Sequence, residues 1–437
     1  MNKLTVIGGG LAGCEAAYAA ANRGIEVELL EMKPAKKTAA HKSDSLAELV
    51  CSNSLKAARV DSAAGLLKEE MRRLGSVCLA AADRSAVAAG GALAVDRDIF
   101  SKLITEKIKS HPNITVTERL VTEIPQSGVT VIATGPLTDD ALAEKLAGLC
   151  DGGNLSFYDA AAPIVTAESV DMSKAFFASR YDKGGDDYIN CPMNKEEYTA
   201  FYRELINAES AALHGFDKAP NVYEGCMPIE VLAKRGEDSI RFGPLKPVGL
   251  RDPRTGHRPW AAVQLRRENA AATLFNIVGF QTNLKFSEQK RVFSMIPGLE
   301  NAEFMRYGVM HRNTFINSPK LLNRNLSLKT DKNIFIAGQL SGVEGYMESA
   351  ASGIIAGINA AAEITGEKPL VLPETTMTGA LLSYITNPLT ENFQPMGANF
   401  GIIPPLEAHI RDKRERYAAL AARALGILAE NIKTEEI

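Results

Sequence analysis

Gly8, Gly10 and Gly13 stand at G-x-G-x-x-G spacing in VIGGGLAGCEAA, and Glu31 follows 18 residues beyond Gly13. Each part suits a bound dinucleotide. Gly8 permits a tight turn, Gly10 lets backbone approach a pyrophosphate, and Gly13 allows close packing of helix on sheet. Gly9, Leu11 and Ala12 complete the turn whose N–H groups face the anion, and Glu31 can accept hydrogen bonds from a ribose. Two further glycine turns, ATG at 133–135 and AGQLSG at 337–342, favour FAD over NAD. A flavin cofactor is long and needs several close backbone approaches at one sheet edge, so Gly135, Gly338, Gln339 and Gly342 are expected beside it. Gly353 and Gly357, further on, could serve helix packing alone.

The six cysteines include no C-x-x-C pair, which argues against a disulfide framework or a zinc cage and predicts no metal site. Reduced thiols are the default expectation. A free cysteine is most often a small buried hydrophobe, and Cys14, Cys78 and Cys150, in Ala/Leu-rich surroundings, are expected in the core. Cys51 lies in a polar loop. Cys226 is flanked by Gly225 and Pro228 and followed by Lys234, Arg235 and Arg241. These two have the setting of reactive thiols. Cys191, before Pro192, fits neither group. No G-x-S-x-G, H-E-x-x-H or Walker A sequence supports a hydrolase or NTPase reading.

The elements that must position these residues are legible in outline. Lys3 to Ile7 reads as a strand, Cys14 to Arg23 as an Ala-rich helix and Glu26 to Leu30 as a second strand, a βαβ opening. Strand followed by glycine turn recurs at Thr130–Gly135 and Asn333–Gly338, and a helix is expected over about 348–364. These strands predict one parallel sheet assembled from both ends of the chain. The residues from about 180 to 310 lack that cadence and read as an insertion. From Arg411 a surface helix is expected.

Charge is unevenly spread. Residues 241–330 hold 15 Lys and Arg against 5 Asp and Glu, within a chain of net charge −3. Arg251, Arg254, Arg258, Arg266 and Arg267, interrupted by Trp260, have the pattern of phosphate contacts around a stacking platform. No apolar run reaches the ~18 residues of a membrane span, and the first, Leu4 to Ile7, is too short for a secretory leader.

Taken together, VIGGGLAGCEAA, ELVCSNSLK (48–56), ALAVDRDIF (92–100), YEGCMPIE (223–230) and AGQLSGVEGYMESAASGIIAGINAA (337–361) resemble the TrmFO family, the folate- and FAD-dependent tRNA uracil-5-methyltransferases. The AGQ block alone also resembles MnmG (GidA), the wobble-uridine modifying flavoproteins, which are longer; the two cysteine blocks select TrmFO. The resemblance implies an α/β fold, a glutathione-reductase-type, Rossmann-like FAD domain (1–180 and 311–437) with an inserted, RNA-facing α/β domain (181–310). It implies Cys226 as nucleophile and Cys51 as base. It further implies 5,10-methylenetetrahydrofolate as carbon donor, FAD as reductant, NADH or NADPH to reduce it, and a cytoplasmic enzyme acting on the T-loop ribothymidine position of tRNA. A ribosomal RNA uridine and an MnmG-like activity are the alternatives, and no obligate protein partner is expected. His41 with Asp44, His311 and Tyr346 are weaker candidates to face cofactor or folate.

Overall fold

The computed structural model describes residues 3–38, 40–148, 155–182, 185–211, 227–390 and 393–433. Strand Lys3–Ile7 is mostly buried because it lies at the centre of a five-stranded sheet in the order 334–336, 129–132, 3–7, 26–31, 114–118. All four pairings are parallel, with Ile7 opposite both Leu30 and Ile132, and Phe335 opposite Val131. Strands from the two ends of the chain therefore share one sheet.

The helices Leu11–Ala21 and Tyr346–Thr365 pack on each other through glycines. A Cβ at Gly353 would lie 2.2 Å from the Ala12 carbonyl oxygen, and one at Gly357 would lie 2.3 Å from that of Ala16. Only a residue without a side chain fits such a crossing, so both glycines serve packing. The first helix starts directly after Gly10, three residues ahead of the expected Cys14. It ends at Ala21 because Gly24 turns the chain with a φ of 78°. The helix Lys413–Lys433 lays Leu420, Ala421, Ala424 and Leu428 on this first core.

The second core lies under a six-stranded antiparallel sheet in the order 176–177, 188–193, 261–267, 274–277, 164–166, 304–306. Helix Lys195–Asn207, started by a reciprocal cap between Asn194 and Glu197, buries Tyr198, Phe201 and Leu205 in it. Two of its strands, Ile164–Thr166 and Phe176–Phe177, precede residue 181, so this core begins earlier in the chain than the expected boundary. They are three and two residues long, too short to carry a readable alternation. Strands Leu155–Ala160 and Met310–Phe315, paired antiparallel, carry the chain into and out of this region. Among the described residues no helix is long and apolar enough to cross a membrane.

Candidate active site

A cleft opens where the central strands of the parallel sheet end, walled by Gly8, Gly9, Gly10, Glu31, His41, Arg119 and Thr134. Its shape follows from the glycines. Gly8 has a φ of 100°, and a Cβ on Gly13 would lie 1.7 Å from the Gly8 carbonyl oxygen, so turn and helix are locked together. A Cβ on Gly10, by contrast, meets nothing within 4 Å. The helix that follows has no side-chain cap and no acidic residue in its first turn, leaving its positive end to an anion. Buried Leu11 and Ala12 form that first turn.

Glu31 is held rather than free. Its Oε2 accepts the Gly9 N–H at 2.6 Å and its Oε1 the Lys33 N–H at 2.9 Å. Each carboxylate oxygen keeps a second lone pair, enough to receive a ribose hydroxyl. These residues fit the nucleotide half of FAD: the open space at Gly10 would suit a pyrophosphate, and Glu31 would suit a ribose hydroxyl. His41 faces the same cleft, shares a 2.8 Å hydrogen bond between its Nδ1 and Thr38 Oγ1, and is held below the usual imidazole range first by burial. Asp44, the other candidate of this stretch, pairs with Lys37 at 2.6 Å.

The AGQ turn divides differently from expectation. Gly338, with a φ of 76°, brings its backbone against Ala12, and Gly135 has a φ of 71° with open space around it. Gly342 is a glycine for another reason: a Cβ there would meet the Phe393 ring at 2.4 Å. Gln339 donates to Glu344 at 2.7 Å. Tyr346 opens the long helix, and its hydroxyl accepts the N–H of Cys51 at 2.7 Å and that of Ser52 at 3.2 Å. The tyrosine thus anchors the loop that carries the expected base.

That loop lies where the two cores meet. Arg97 donates to the carbonyls of Leu49 and, at 3.1 Å, Cys51, and also contacts Glu268. Arg306 donates to the Val50 carbonyl at 2.5 Å. Arg266 donates to Asn53 Oδ1 at 3.0 Å and Ser52 Oγ at 2.9 Å. Asn53 in turn donates to the carbonyls of Val95 and Arg267, tying the first core to the second sheet. Cys51 itself is half-buried.

Cys226 and Cys150 lie outside the described residues. Cys14 and Cys78 are fully buried, and burial pushes both thiols up. Cys191 is likewise buried, in the second core, its thiol pushed up to about 12 by burial, a packing residue. His311 pairs opposite Asp159 in the strand ladder, and its side chain is outside what is described.

The arginine cluster separates. Arg266 is 8% exposed and faces the Cys51 loop, which contradicts its expected place among phosphate contacts. Strand Ala261–Arg267 is buried at every position through Arg266, and Arg267 at its end is half-buried. Arg254 grips Asp252 with two hydrogen bonds and donates to the Ser173 carbonyl. Trp260 is no open stacking platform, since Arg241 lies 3.7 Å and Lys195 5.4 Å from its ring centre. Arg251, Arg254 and Arg258 are all exposed.

Sequence reading missed Arg97, Glu268 and Arg306. Arg97 left one signal: it directly follows Asp96, the N-cap of helix Arg97–Lys109, and a cation in a first helical turn opposes the dipole. Among the described residues no group of three His, Cys, Asp or Glu could hold a metal ion.

The parallel sheet, its glycine turn and the added antiparallel sheet are those of a GidA-type flavoprotein: the family model described as glucose inhibited division protein A matches residues 3–368. Solved GidA from Aquifex aeolicus superposes with a TM-score of 0.71 at 18% identity, covering 98% of this chain and 76% of that one. Sequence relatives are more specific. The chain is 57% identical to Methylenetetrahydrofolate--tRNA-(uracil-5-)-methyltransferase TrmFO of Lactobacillus gasseri, over 100% of this chain and 99% of the relative. It is 58% identical to the protein of that name from Acetivibrio thermocellus over 98% of each, and 56% to that of Enterococcus faecalis over 99% of each. The chain belongs to the TrmFO family.

Proposed function

We propose that this chain methylates C5 of a uridine in tRNA, at the T-loop ribothymidine position, in the cytoplasm. The carbon comes from 5,10-methylenetetrahydrofolate, and the electrons pass from NADH or NADPH through FAD. The observation that carries this reading is the identity of 56–58% to relatives of that name along essentially the whole chain. The nucleotide cleft agrees with it, because Gly10 leaves open the space that a pyrophosphate needs.

C5 of uracil is a poor nucleophile until a thiolate adds to C6. Cys226 is assigned that attack, which forms an S–C6 bond and places the displaced electron pair on C5 and O4. C5 then bonds to the one-carbon unit of the folate, and Cys51 takes the C5 proton as the base. The carbon–nitrogen bond to tetrahydrofolate breaks to leave a methylene on C5, and once that methylene is reduced to methyl the S–C6 bond breaks and Cys226 leaves. FAD, when bound and reduced, would supply the reducing equivalents that turn the transferred methylene into methyl. The protein's own share is presentation: Tyr346 and three arginines hold the Cys51 loop, and the glycine turn holds the cofactor's anion.

Transcript RNA carrying 5-fluorouridine at the target tests the two thiol roles, since fluorine cannot leave as a proton does. Flavin-loaded protein is expected to be trapped on it covalently. Cys226→Ala should abolish both trapping and methylation, whereas Cys51→Ala should block turnover and still allow an adduct. An adduct that survives in Cys226→Ala and is lost in Cys51→Ala would reverse the assignments.

A further inference from the structure

Residues 49–53 are held by more polar contacts than a loop needs to keep its shape. The carbonyls of Leu49 and Cys51 accept from Arg97, that of Val50 accepts from Arg306, and Arg266 reaches the side chains of Ser52 and Asn53. The N–H groups of Cys51 and Ser52 are both donated to the Tyr346 hydroxyl. Peptide groups around Cys51 are therefore claimed by side chains from three separate elements, and a fourth, through Arg266, holds the neighbouring side chains. The Cys51 sulfur lies 3.9 Å from the Ala160 carbonyl oxygen, at the junction of the two cores.

The charge at this junction is unbalanced. Three guanidinium groups converge on five residues, and the carboxylate facing them is Glu268. Glu268 contacts Arg97, while its Oε2 is buried without a hydrogen-bond partner among the described residues. Arg306, half-buried, has no ion pair among the described residues, although its desolvation would be offset by one. Among the described residues two phenols also lie here: Tyr346 beside Cys51, and Tyr188 beside Arg266. Burial pushes both phenols up, so neither adds negative charge near neutrality. A thiolate is the anion this arrangement favours, because an adjacent cation stabilises the charged form of a thiol.

We propose that Arg97 and Arg306 are positioning residues that clamp the Cys51 loop and hold its thiol in the anionic form, ready to accept the uracil C5 proton. The inference rests on the reading of Cys51 as base, and it deepens that reading by naming what makes a cysteine competent for the task. In the step it serves, the C5–H bond breaks with its electron pair left on the ring and an S–H bond forms. The proton then passes to water, and the arginines restore the thiolate. A purely structural clamp would fix the same main-chain atoms and leave the thiol's titration unaltered.

Alkylation separates the two. Flavin-loaded protein is treated with iodoacetamide from about pH 5 to 10, and modification is read by mass spectrometry on the tryptic peptide 43–56, in which Cys51 is the sole cysteine. The parent's Cys51 is expected to titrate at least one unit below the ordinary thiol value of about 8.5. Arg306→Gln should raise that midpoint by about one unit, a roughly tenfold loss of thiolate at neutral pH, and Arg306→Lys should restore most of it. A parent midpoint at or above the ordinary value would overturn the proposal without need of any variant. So would a midpoint that Arg306→Gln leaves in place. The base role fails by a different sign: a titration as expected together with undiminished methylation by Cys51→Ala would leave the clamp standing and remove its assigned purpose.

Discussion

The glycine turn at residues 8–13 and the arginine-rich segment at 251–267 both read from sequence as binding surfaces for phosphate, and the structure treats them differently. In the turn, Gly13 and Gly10 have the surroundings their spacing anticipates: a Cβ on Gly13 would strike the Gly8 carbonyl, and Gly10 faces open space. In the basic segment, Arg266 turns inward to Asn53, 213 residues away, and Arg254 closes on Asp252. A backbone constraint is local and shows in spacing. A guanidinium on a long flexible stem declares its partner only after the chain has folded.

The sharpest way to break the first half of this contrast uses two neighbouring glycines. Gly13→Val should unfold the first core or cost at least about 3 kcal/mol, because backbone on both sides cannot yield. Gly10→Val should keep the fold and lose most of its flavin, because its side chain occupies the space open to a pyrophosphate. Thermal melting together with flavin absorbance on both variants checks this. Full flavin content in Gly10→Val would remove the cleft from the cofactor site.

Arg266→Ala comes next. It leaves Ser52 and Asn53 without their buried donor, so a loss of about 1–3 kcal/mol in stability is expected, with the salt dependence of tRNA binding unchanged. A flattened salt slope at parental stability would return Arg266 to the RNA surface.

Glu15, buried beneath the glycine turn, gives a pH-dependent effect. It accepts the N–H groups of Val77 and Cys78, yet burial pushes its carboxyl up to about 7 from an ordinary value of 4.5. Between those two values the folded protein holds a proton that the unfolded chain has released, so stability falls as pH rises from about 4.5 through about 7. Glu15→Gln should remove that component, seen as a smaller drop in melting temperature between pH 5 and pH 8. An equal drop in parent and variant would mean that Glu15 is ionised throughout.

The smallest effect belongs to two of the exposed arginines. Arg251→Ala and Arg258→Ala should each flatten the log–log salt slope of tRNA binding by somewhat under one unit, with melting unchanged, if they touch phosphate. Unaltered slopes in both would leave this segment without a role in RNA binding.

Much of the fold was readable in advance, since the strands at 129–132 and 334–336 each end in a glycine turn and the two ends of the chain carry the same cadence. The second sheet was less so. Its leading strands at 164–166 and 176–177 are too short for a pattern to register. At the site, Glu31 and Gly10 stood out by spacing, and Tyr346 by its place in the AGQ block. Arg97, Glu268 and Arg306 did not, because what defines them is convergence on residues 49–53 from three separate parts of the chain. Gly342 has a second constraint that its spacing did not reveal, since a Cβ there would meet the Phe393 ring.

The origin of the methyl carbon tests the central reading most directly. Purified flavin-loaded protein is incubated with an unmodified tRNA transcript, NADH or NADPH, and either methylenetetrahydrofolate labelled in its one-carbon unit or labelled S-adenosylmethionine, and the nucleosides are analysed by mass spectrometry. Labelled 5-methyluridine is expected at the T-loop position with the folate donor and not with the sulfonium donor. Absence of folate-derived label from the tRNA, in protein that retains its flavin, would contradict the assigned activity.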